Sequence, residues 1–338
     1  MKHVVVSSGL REEAIRPPSL MSEFKRLSVE EARAYFIERG RLTEVACPAC
    51  GSEGRKPVFE KDGFIYNKCR ACKSVYVSPR PTHEALVDYY RNSRASHYRV
   101  EQLAKDTANA RRAHLLHAHA NWLGRMVDEQ GNLDARSCTD VGTSLSAIFE
   151  EFKRLGLFDS LSCLDPLPAL VPELDTMGVT VLAEPPHGQG AVSAFEQLEH
   201  QFSPLRFLES VHDMLAGGGL LFFTSRTISG FDLQMLWDKA PYIFVPEHLN
   251  LLSIEGIQEL ITRSGLELLE LSTPGQLDVE LTMHAAQQDP SVKLPHFIEY
   301  LLKGRGREVH EDFQAFLQKA RLSSHVRVAA ARKKGVVS

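Results

Sequence analysis

Residues 136–156, RSCTDVGTSLSAIFEEFKRLG, decide the fold, because a short strand-like run that ends in a glycine turn passes into a helical pattern. The run at about 136–141 predicts a strand, and Ala147 to Gly156 predicts a helix. Between them, Asp140-Val-Gly142 forms a turn in which Gly142 lets the backbone approach a ligand closely. The start of the following helix offers free N–H groups. The stretch is therefore a strand–turn–helix unit of the kind that binds nucleotides.

The same alternation continues to the end of the chain. Further strands are predicted at about 161–164, 179–183, 191–195, 220–225, 266–271 and 324–331. Further helices are predicted at about 168–177, 204–215, 254–263 and 293–320. This order predicts an α/β fold with a parallel sheet and right-handed crossovers. The last strand lacks a crossover helix like the others, which makes it a candidate for antiparallel insertion.

An acidic residue ends the second predicted strand. Asp165 lies 23 residues after Gly142, where a carboxylate can accept both hydroxyls of a ribose. In open α/β sheets, ligands bind outside the carboxyl ends of the strands. The sequence therefore predicts a nucleotide-like ligand at that edge of the sheet.

Four of the six cysteines form two pairs with the spacing of a metal site. Cys47 and Cys50 enclose two residues, Cys69 and Cys72 do the same, and 18 residues separate the pairs. Each C-x2-C turn can direct two thiolates at one ion, so the pattern predicts a structural zinc ribbon with a closed four-cysteine site. Two disulfides, or a redox-active pair, are the alternatives. Cys138 and Cys163 lie in apolar segments and are expected in the core.

Composition excludes several classes of protein. Lys and Arg number 39 against 43 Asp and Glu, for a net charge of −4, so the whole molecule is not a basic nucleic-acid binder. Residues 51–80 form a local exception, with seven basic residues against three acidic ones. The apolar stretches are too short for a signal peptide or a bilayer span, which predicts a cytoplasmic protein with no membrane contact.

These patterns divide the chain unevenly. Residues 1–43 form an N-terminal segment: residues 1–27 are expected to be loose, and a short helix is predicted from a capping-box-like Ser28-Val-Glu-Glu31 to about Arg39. The ribbon follows at 44–81, and a helical linker or lid at 82–130. The alternating domain occupies 131–338 and includes a helical insertion at about 285–320.

Together these motifs resemble a class I S-adenosylmethionine (SAM)-dependent methyltransferase with an N-terminal zinc ribbon. The resemblance rests on Asp140-Val-Gly142, Asp165-Pro166, Phe195 to His200, and Leu215-Ala-Gly-Gly-Gly219 before the fifth strand. Later segments, including Pro246-Glu-His-Leu-Asn250, and the ribbon tail Val75 to Thr82 are similar to zinc-containing sugar C-methyltransferases. The resemblance covers about residues 40–335.

The resemblance implies a Rossmann-like seven-stranded sheet of order 3-2-1-4-5-7-6, with strand 7 antiparallel, preceded by the ribbon and helices. It implies SAM and structural Zn²⁺ as cofactors. By position, Asp140, Gly142 and Ser144 would face the methionine part of SAM, Asp165 the ribose and Glu184 the adenine. The segment from Phe195 to His200 would border the sulfonium and the substrate.

The chain departs from the family pattern at two places. Ser144 and Ser146 stand where the Gly-x-Gly-x-Gly motif has its second and third glycines, and each side chain takes up room beside the methionine carboxylate. Glu247-His248 matches the pair that supplies a histidine base, but Val245 replaces the tyrosine three residues before it. We take His248, Glu247 and His200 as candidate catalytic residues. A structural role in fixing the loop is the alternative for His248.

The sequence thus predicts methyl transfer from SAM to a small-molecule or carbohydrate-linked acceptor. A degenerate methyltransferase that acts as a binding scaffold is one alternative, motivated by the two serines. An RNA methyltransferase that uses the basic ribbon is another, although the mild net charge favours a small acceptor over nucleic acid. The sequence does not indicate an oligomeric state.

Overall fold

A computed structural model describes residues 9–130, 133–143 and 145–334. Ser144 lies outside the described residues. The strands are β1 Leu42–Thr43, β2 Arg55–Lys61, β3 Phe64–Cys69, β4 Val75–Val77, β5 Arg80–Pro81, β6 Ser137–Val141, β7 Ser160–Leu164, β8 Thr180–Leu182, β9 Gln189–Phe195, β10 Leu215–Arg226, β11 Asn250–Leu251, β12 Leu266–Ser272 and β13 His325–Arg332.

The helices alternate with these strands in the second half of the chain. They are α1 Glu12–Ile15, α2 Pro18–Ala32, α3 His83–Asn92, α4 Arg94–Tyr98, α5 Lys105–Arg111, α6 His117–Glu129, α7 Ala147–Leu155, α8 Val171–Thr176, α9 Pro204–Met214, α10 Phe231–Leu236, α11 Ile254–Arg263, α12 Asp278–Gln288, α13 His296–Gly304 and α14 Arg307–Lys319. Three π-helical segments continue α2, join α4 to α5, and join α5 to α6; they are Arg33–Ile37, Arg99–Ala104 and Arg112–Leu116.

The central sheet has the order β8-β7-β6-β9-β10-β13-β12. Counted along the chain within this sheet, the order is 3-2-1-4-5-7-6, and the seventh strand, β13, is antiparallel to both neighbours. The predicted Rossmann-like methyltransferase sheet and its antiparallel last strand are therefore confirmed. β10 shows how the core is divided: Phe222 packs with α6 and α7 on one face, and Phe223 packs with α9 and α11 on the other.

The expectation of loose structure before Ser28 is wrong for residues 9–27. α2 begins at Pro18, because a proline at the first helical position needs no hydrogen-bond donor. Met21, Phe24 and Leu27 bury one face of this helix, and Ser28 lies inside it, fully buried, instead of capping a new helix. Packing against distant residues therefore decides where the helix begins.

The ribbon strands do not form a separate sheet. β2, β3 and β4 join β11 from the second half of the chain in a four-stranded antiparallel sheet of order β11-β4-β3-β2. β11 comes two residues after Glu247-His248. The ribbon therefore holds the loop that carries these two candidate catalytic residues. No helix among the described residues combines the length and apolar character needed to cross a bilayer.

Candidate active site and metal centre

The four paired cysteines converge at one point. Their Sγ atoms all lie within 4.8 Å of one another, with 3.5 Å between Cys47 and Cys72 and 3.6 Å between Cys50 and Cys69. Four sulfurs placed tetrahedrally at a Zn–S distance of about 2.3 Å would be about 3.8 Å apart. All six cysteines are free thiols. The cluster therefore fits a four-cysteine zinc ribbon and does not fit a pair of disulfides. Cys138 and Cys163 are fully buried in the core, as expected.

Local hydrogen bonds hold the cysteine turns and favour a thiolate. The N–H of Gly51 donates to the carbonyl of Cys47, and the N–H of Cys69 donates to the carbonyl of Ser74. The hydrogen bond with Cys47 lowers the pKa of Cys72 to about 4 despite burial, whereas the same hydrogen bond raises the pKa of Cys47, and burial raises the pKa of Cys50. Thiolates are the form that binds a metal ion, so binding of Zn²⁺ would release the protons of the remaining thiols. The spacing of the four sulfurs is the feature that fits Zn²⁺.

The metal centre is tied to the start of α11. The hydroxyl of Ser253 donates to the carbonyl of Cys72, and the N–H of Ser253 donates to the hydroxyl of Ser74 at 3.0 Å. Tyr66 on β3 donates to the carbonyl of His248 at 3.2 Å. These bonds connect the cysteine cluster to both sides of β11.

The residues assigned to SAM lie along the carboxyl ends of four adjacent strands. Asp140 and Gly142 lie at the end of β6, Asp165 after β7, Glu184 after β8, and Phe195 at the end of β9. These strands are parallel, so their ends share one edge of the sheet. Asp165 and Glu184 are exposed there. The structure thus brings these five residues to one edge.

Asp140 is a buried acid with two hydroxyl donors. Thr143 donates to one of its carboxylate oxygens at 2.7 Å, and Ser193 donates to the other. Burial raises the pKa of Asp140 to about 6, although both hydrogen bonds act in the opposite direction. Asp140 therefore holds the glycine turn in place through its hydrogen bond with Thr143.

Gly142 adopts a left-handed conformation, with φ of +72°. A Cβ at this position would lie 2.3 Å from Oε1 of Gln197, whose Nε2 donates to the carbonyl of Gly142 at 3.0 Å. Both the backbone conformation and this close approach require glycine.

The structure describes one of the two serines that replace motif glycines. The hydroxyl of Ser146 donates to Glu173 on α8 at 2.6 Å. Its side chain is therefore hydrogen-bonded to a protein partner at the start of α7. The expectation for Ser144 falls outside the described residues.

The three candidate catalytic residues line one cavity of about 140 Å³. Nδ1 of His200 lies 4.0 Å from Glu247, and the rings of His200 and His248 are 6.4 Å apart. Arg99 pairs with Glu247 at 3.1 Å. Nδ1 of His248 is buried and has no hydrogen-bond partner among the residues described here. Backbone hydrogen bonds therefore hold the loop that carries Glu247 and His248, and Nδ1 of His248 is not used to hold it.

Burial controls the protonation of this group. It lowers the pKa of His248 well below its usual value, and the charge of Arg226 adds to this effect. Burial also lowers the pKa of His200, although Glu247 opposes the shift. Glu199 receives a hydrogen bond from Ser225, yet burial raises its pKa well above the usual range. Burial therefore favours the neutral form of both histidines and of Glu199.

Sequence reasoning missed several residues of this cavity. Arg16, Arg99, Arg111 and Arg226 all line it. They come from the N-terminal segment, the helical segment and the end of β10, and no short motif marks them. An arginine on a helix is ordinarily solvated, so only the folded chain shows that these side chains meet.

Comparison with known proteins gives one family match. Residues 108–271 match a family model described as a methyltransferase domain. No curated protein matches the chain.

Several solved structures are similar to parts of the chain. An S-adenosylmethionine-dependent methyltransferase from Clostridium acetobutylicum is 8% identical, over 64% of this chain and 91% of that one, with a TM-score of 0.40. The plantazolicin methyltransferase, solved with SAH, is 12% identical over 74% and 94%, with a TM-score of 0.43. A cyclopropane synthase from Mycobacterium tuberculosis is 14% identical over 62% and 83%, with a TM-score of 0.37. TM-scores this low carry no inference about activity.

Proposed function

We propose, on the premise that residues 108–271 belong to the methyltransferase-domain family, that this chain transfers a methyl group from SAM to a small-molecule or carbohydrate-linked acceptor. The single observation that carries the proposal is the cavity that joins His200, Glu247 and His248 beside the carboxyl ends of the strands. The imidazole and carboxyl groups that line this cavity can accept and donate protons. The cavity also lies at the edge where open α/β sheets bind ligands.

The edge of the sheet offers groups that suit SAM. Asp165 and Glu184 present exposed carboxylates for ribose hydroxyls and the adenine amino group, and Gly142 leaves the backbone approachable beside them. When bound, SAM supplies an electrophilic methyl group on a sulfonium. Asp140 and Phe195 complete the proposed site from β6 and β9. In the ribbon, the four cysteines would hold Zn²⁺ as a structural ion, because four protein ligands leave no open position.

His248 is the proposed base. Its unpartnered Nδ1 supports this role, because the neutral imidazole that burial favours can accept a proton from the attacking group of the acceptor. Glu247 is held by Arg99 and lies near His200, so we propose that it orients this side of the cavity.

A small acceptor is favoured over RNA by the state of the basic residues on the ribbon. Arg80 is fully buried, Arg55 pairs with Glu44, and Lys61 donates to the carbonyl of Ala240. Three of the seven basic residues are therefore occupied inside the protein. The remaining patch is smaller than the sequence suggests.

Two measurements test the proposal. Calorimetric titration of the purified protein with SAM should give binding, and SAH release should be seen with a nucleotide-linked sugar or another small acceptor. H248Q should keep SAM binding and lose about 10²–10⁴-fold in turnover, the usual contribution of a general base. H114Q, which changes an exposed histidine on the helical segment, is the matched control.

The outcomes separate the alternatives. Absence of heat or thermal shift at millimolar SAM would contradict the proposal. SAM binding without turnover on any acceptor would favour a scaffold. Affinity for RNA that falls steeply with salt would favour an RNA methyltransferase.

A further inference from the structure

Four guanidinium groups surround the catalytic cavity. Arg16 comes from the turn between α1 and α2, Arg99 and Arg111 from the helical segment, and Arg226 from the end of β10. Three glutamates share the lining, so the four arginines are in excess even when every carboxyl group is ionised. Burial raises the pKa of Glu199 well above its usual value, which adds to this excess of positive charge.

Two of these arginines have carboxylate partners. Arg99 pairs with Glu247 at 3.1 Å, and Arg226 pairs with Asp232 at 2.6 Å. Arg226 is 6% exposed, and its Nε donor has no hydrogen-bond partner among the residues that the structure describes. A buried guanidinium N–H without a partner is costly, which indicates a group that accepts a hydrogen bond from it.

The other two arginines have no carboxylate within 4.0 Å in the described part of the chain. Arg111 donates to the hydroxyl of Thr107 and to the carbonyl of Ile15, and Arg16 lies over the ring of Tyr242. Burial, followed by repulsion from Arg16 and Arg99, lowers the pKa of Arg111 to about 10. Burial and then the charge of Arg226 lower the pKa of Arg16. These neighbouring cations therefore repel one another.

A π-helical segment brings Arg99 and Arg111 to the same face. In a regular α-helix, residues 12 apart differ by about 120° around the axis. The π-helical segment Arg99–Ala104 lies between them, and one extra residue in the helix reduces the difference to about 20°. The two side chains thus reach one cavity because the helix is interrupted.

We propose that Arg16, Arg111 and Arg226 bind a carboxylate or phosphate group of the methyl acceptor. The acceptor would then be an anion held next to His248, with one group fixed by guanidinium donors and another presented to the base. The inference deepens the proposed function and rests on it for the identity of the ligand as the acceptor. The anion site itself can be tested without SAM.

Thermal unfolding with inorganic phosphate or acetate, against sodium chloride at equal ionic strength, provides the test. We expect the wild-type Tm to rise by about 2 °C when the anion is at ten times its Kd. A response to phosphate alone assigns a phosphate-bearing acceptor, and a response to acetate assigns a carboxylate. R16Q and R111Q should lose the rise, whereas R16K and R111K should keep part of it.

R26Q is the matched control, because Arg26 is exposed and pairs with Glu23 and Glu30, its neighbours on α2. It should respond like the wild type. The proposal is overturned if the wild type responds to neither anion, or if R16Q and R111Q respond as the wild type does. It is also overturned if these variants lose SAM affinity while their response to phosphate stays intact, because the arginines would then serve the methyl donor. Calorimetry with SAM on the wild type separates failure of the proposed function from failure of the anion site.

Discussion

Replacing Gly142 by alanine should destabilise the protein for two separable reasons. The first is the backbone: a side chain at φ of +72° costs about 1–2 kcal/mol. The second is Gln197, whose Oε1 lies 2.3 Å from where the new Cβ would be. The amide is the flexible end of a side chain, so it would move away and lose its 3.0 Å bond to the Gly142 carbonyl. That loss adds about 0.5–1.5 kcal/mol, for a total of about 2–3 kcal/mol.

Gly156 provides the matched control. It follows α7 with φ of +66°, and nothing lies within 4 Å of a Cβ placed there. G156A should therefore show the backbone cost alone. G142A in a Q197A background should likewise cost only about 1–2 kcal/mol, which leaves a coupling of about 1 kcal/mol between positions 142 and 197.

Urea unfolding of the four variants and the wild type, followed by tryptophan fluorescence, measures these differences. Equal destabilisation by G142A and G156A would refute the role given to Gln197. So would a cost of G142A that is unchanged when Gln197 is already alanine.

Three further predictions concern the metal, a buried acid and a buried ion pair. C47S should release the metal ion, which elemental analysis would detect. It should also raise hydrogen exchange both in the ribbon and in residues 249–253, which exchange mass spectrometry would detect. A rise in exchange in the ribbon alone would contradict the connection between the cysteine cluster and β11. The pKa of Asp140 rises from 3.8 to about 6 on folding, so the folded state binds the proton more tightly than the unfolded state does. The contribution of Asp140 to the free energy of unfolding therefore falls by about 3 kcal/mol as the pH rises from about 4 to 6. D140N should remove that part of the pH dependence of urea unfolding, and identical profiles would contradict it. E270A should lower the free energy of unfolding in urea by about 3–5 kcal/mol, because it leaves Arg327 buried without its partner at 2.9 Å. E129A removes one partner of an exposed ion pair and should cost under about 1 kcal/mol. Similar costs for the two variants would contradict the difference between the buried and the exposed pair.

The parts of the fold that follow from local patterns could be predicted. Several strands of the central sheet contain short apolar runs, such as Leu220 to Phe223 in β10, and the order of the strands follows from the family that the glycine turn resembles. The four-cysteine cluster followed from spacing alone, because two C-x2-C turns leave little freedom in how four sulfurs meet. Asp140, Gly142 and Asp165 are candidates because each lies where a predicted strand ends, and the structure places all three at the carboxyl ends of β6 and β7.

The missed features depend on contacts between distant residues. α2 begins at Pro18 because Phe24 packs against residues such as Phe244, with ring centroids 5.8 Å apart, and no pattern within residues 17–28 reports that partner. α12 was also missed, because its first residue, Asp278, accepts hydrogen bonds from Ser323 and Ser324, which lie more than 40 residues away in the chain. The cationic lining of the cavity likewise requires segments more than 200 residues apart to meet.

The strand pairing between β4 and β11 has a consequence for synthesis on the ribosome. About 170 residues separate Val77 from Asn250, so at about 5–20 residues per second β4 would wait roughly 10–35 s for its partner. Throughout that interval the ribbon presents an open sheet edge, which is a template for pairing with another chain. Binding of the metal ion at this stage would fold the β2–β3 hairpin but would leave the backbone groups along the free edge of β4 unpaired. The nascent chain is thus most exposed to aggregation after the ribbon has formed and before residue 251 emerges.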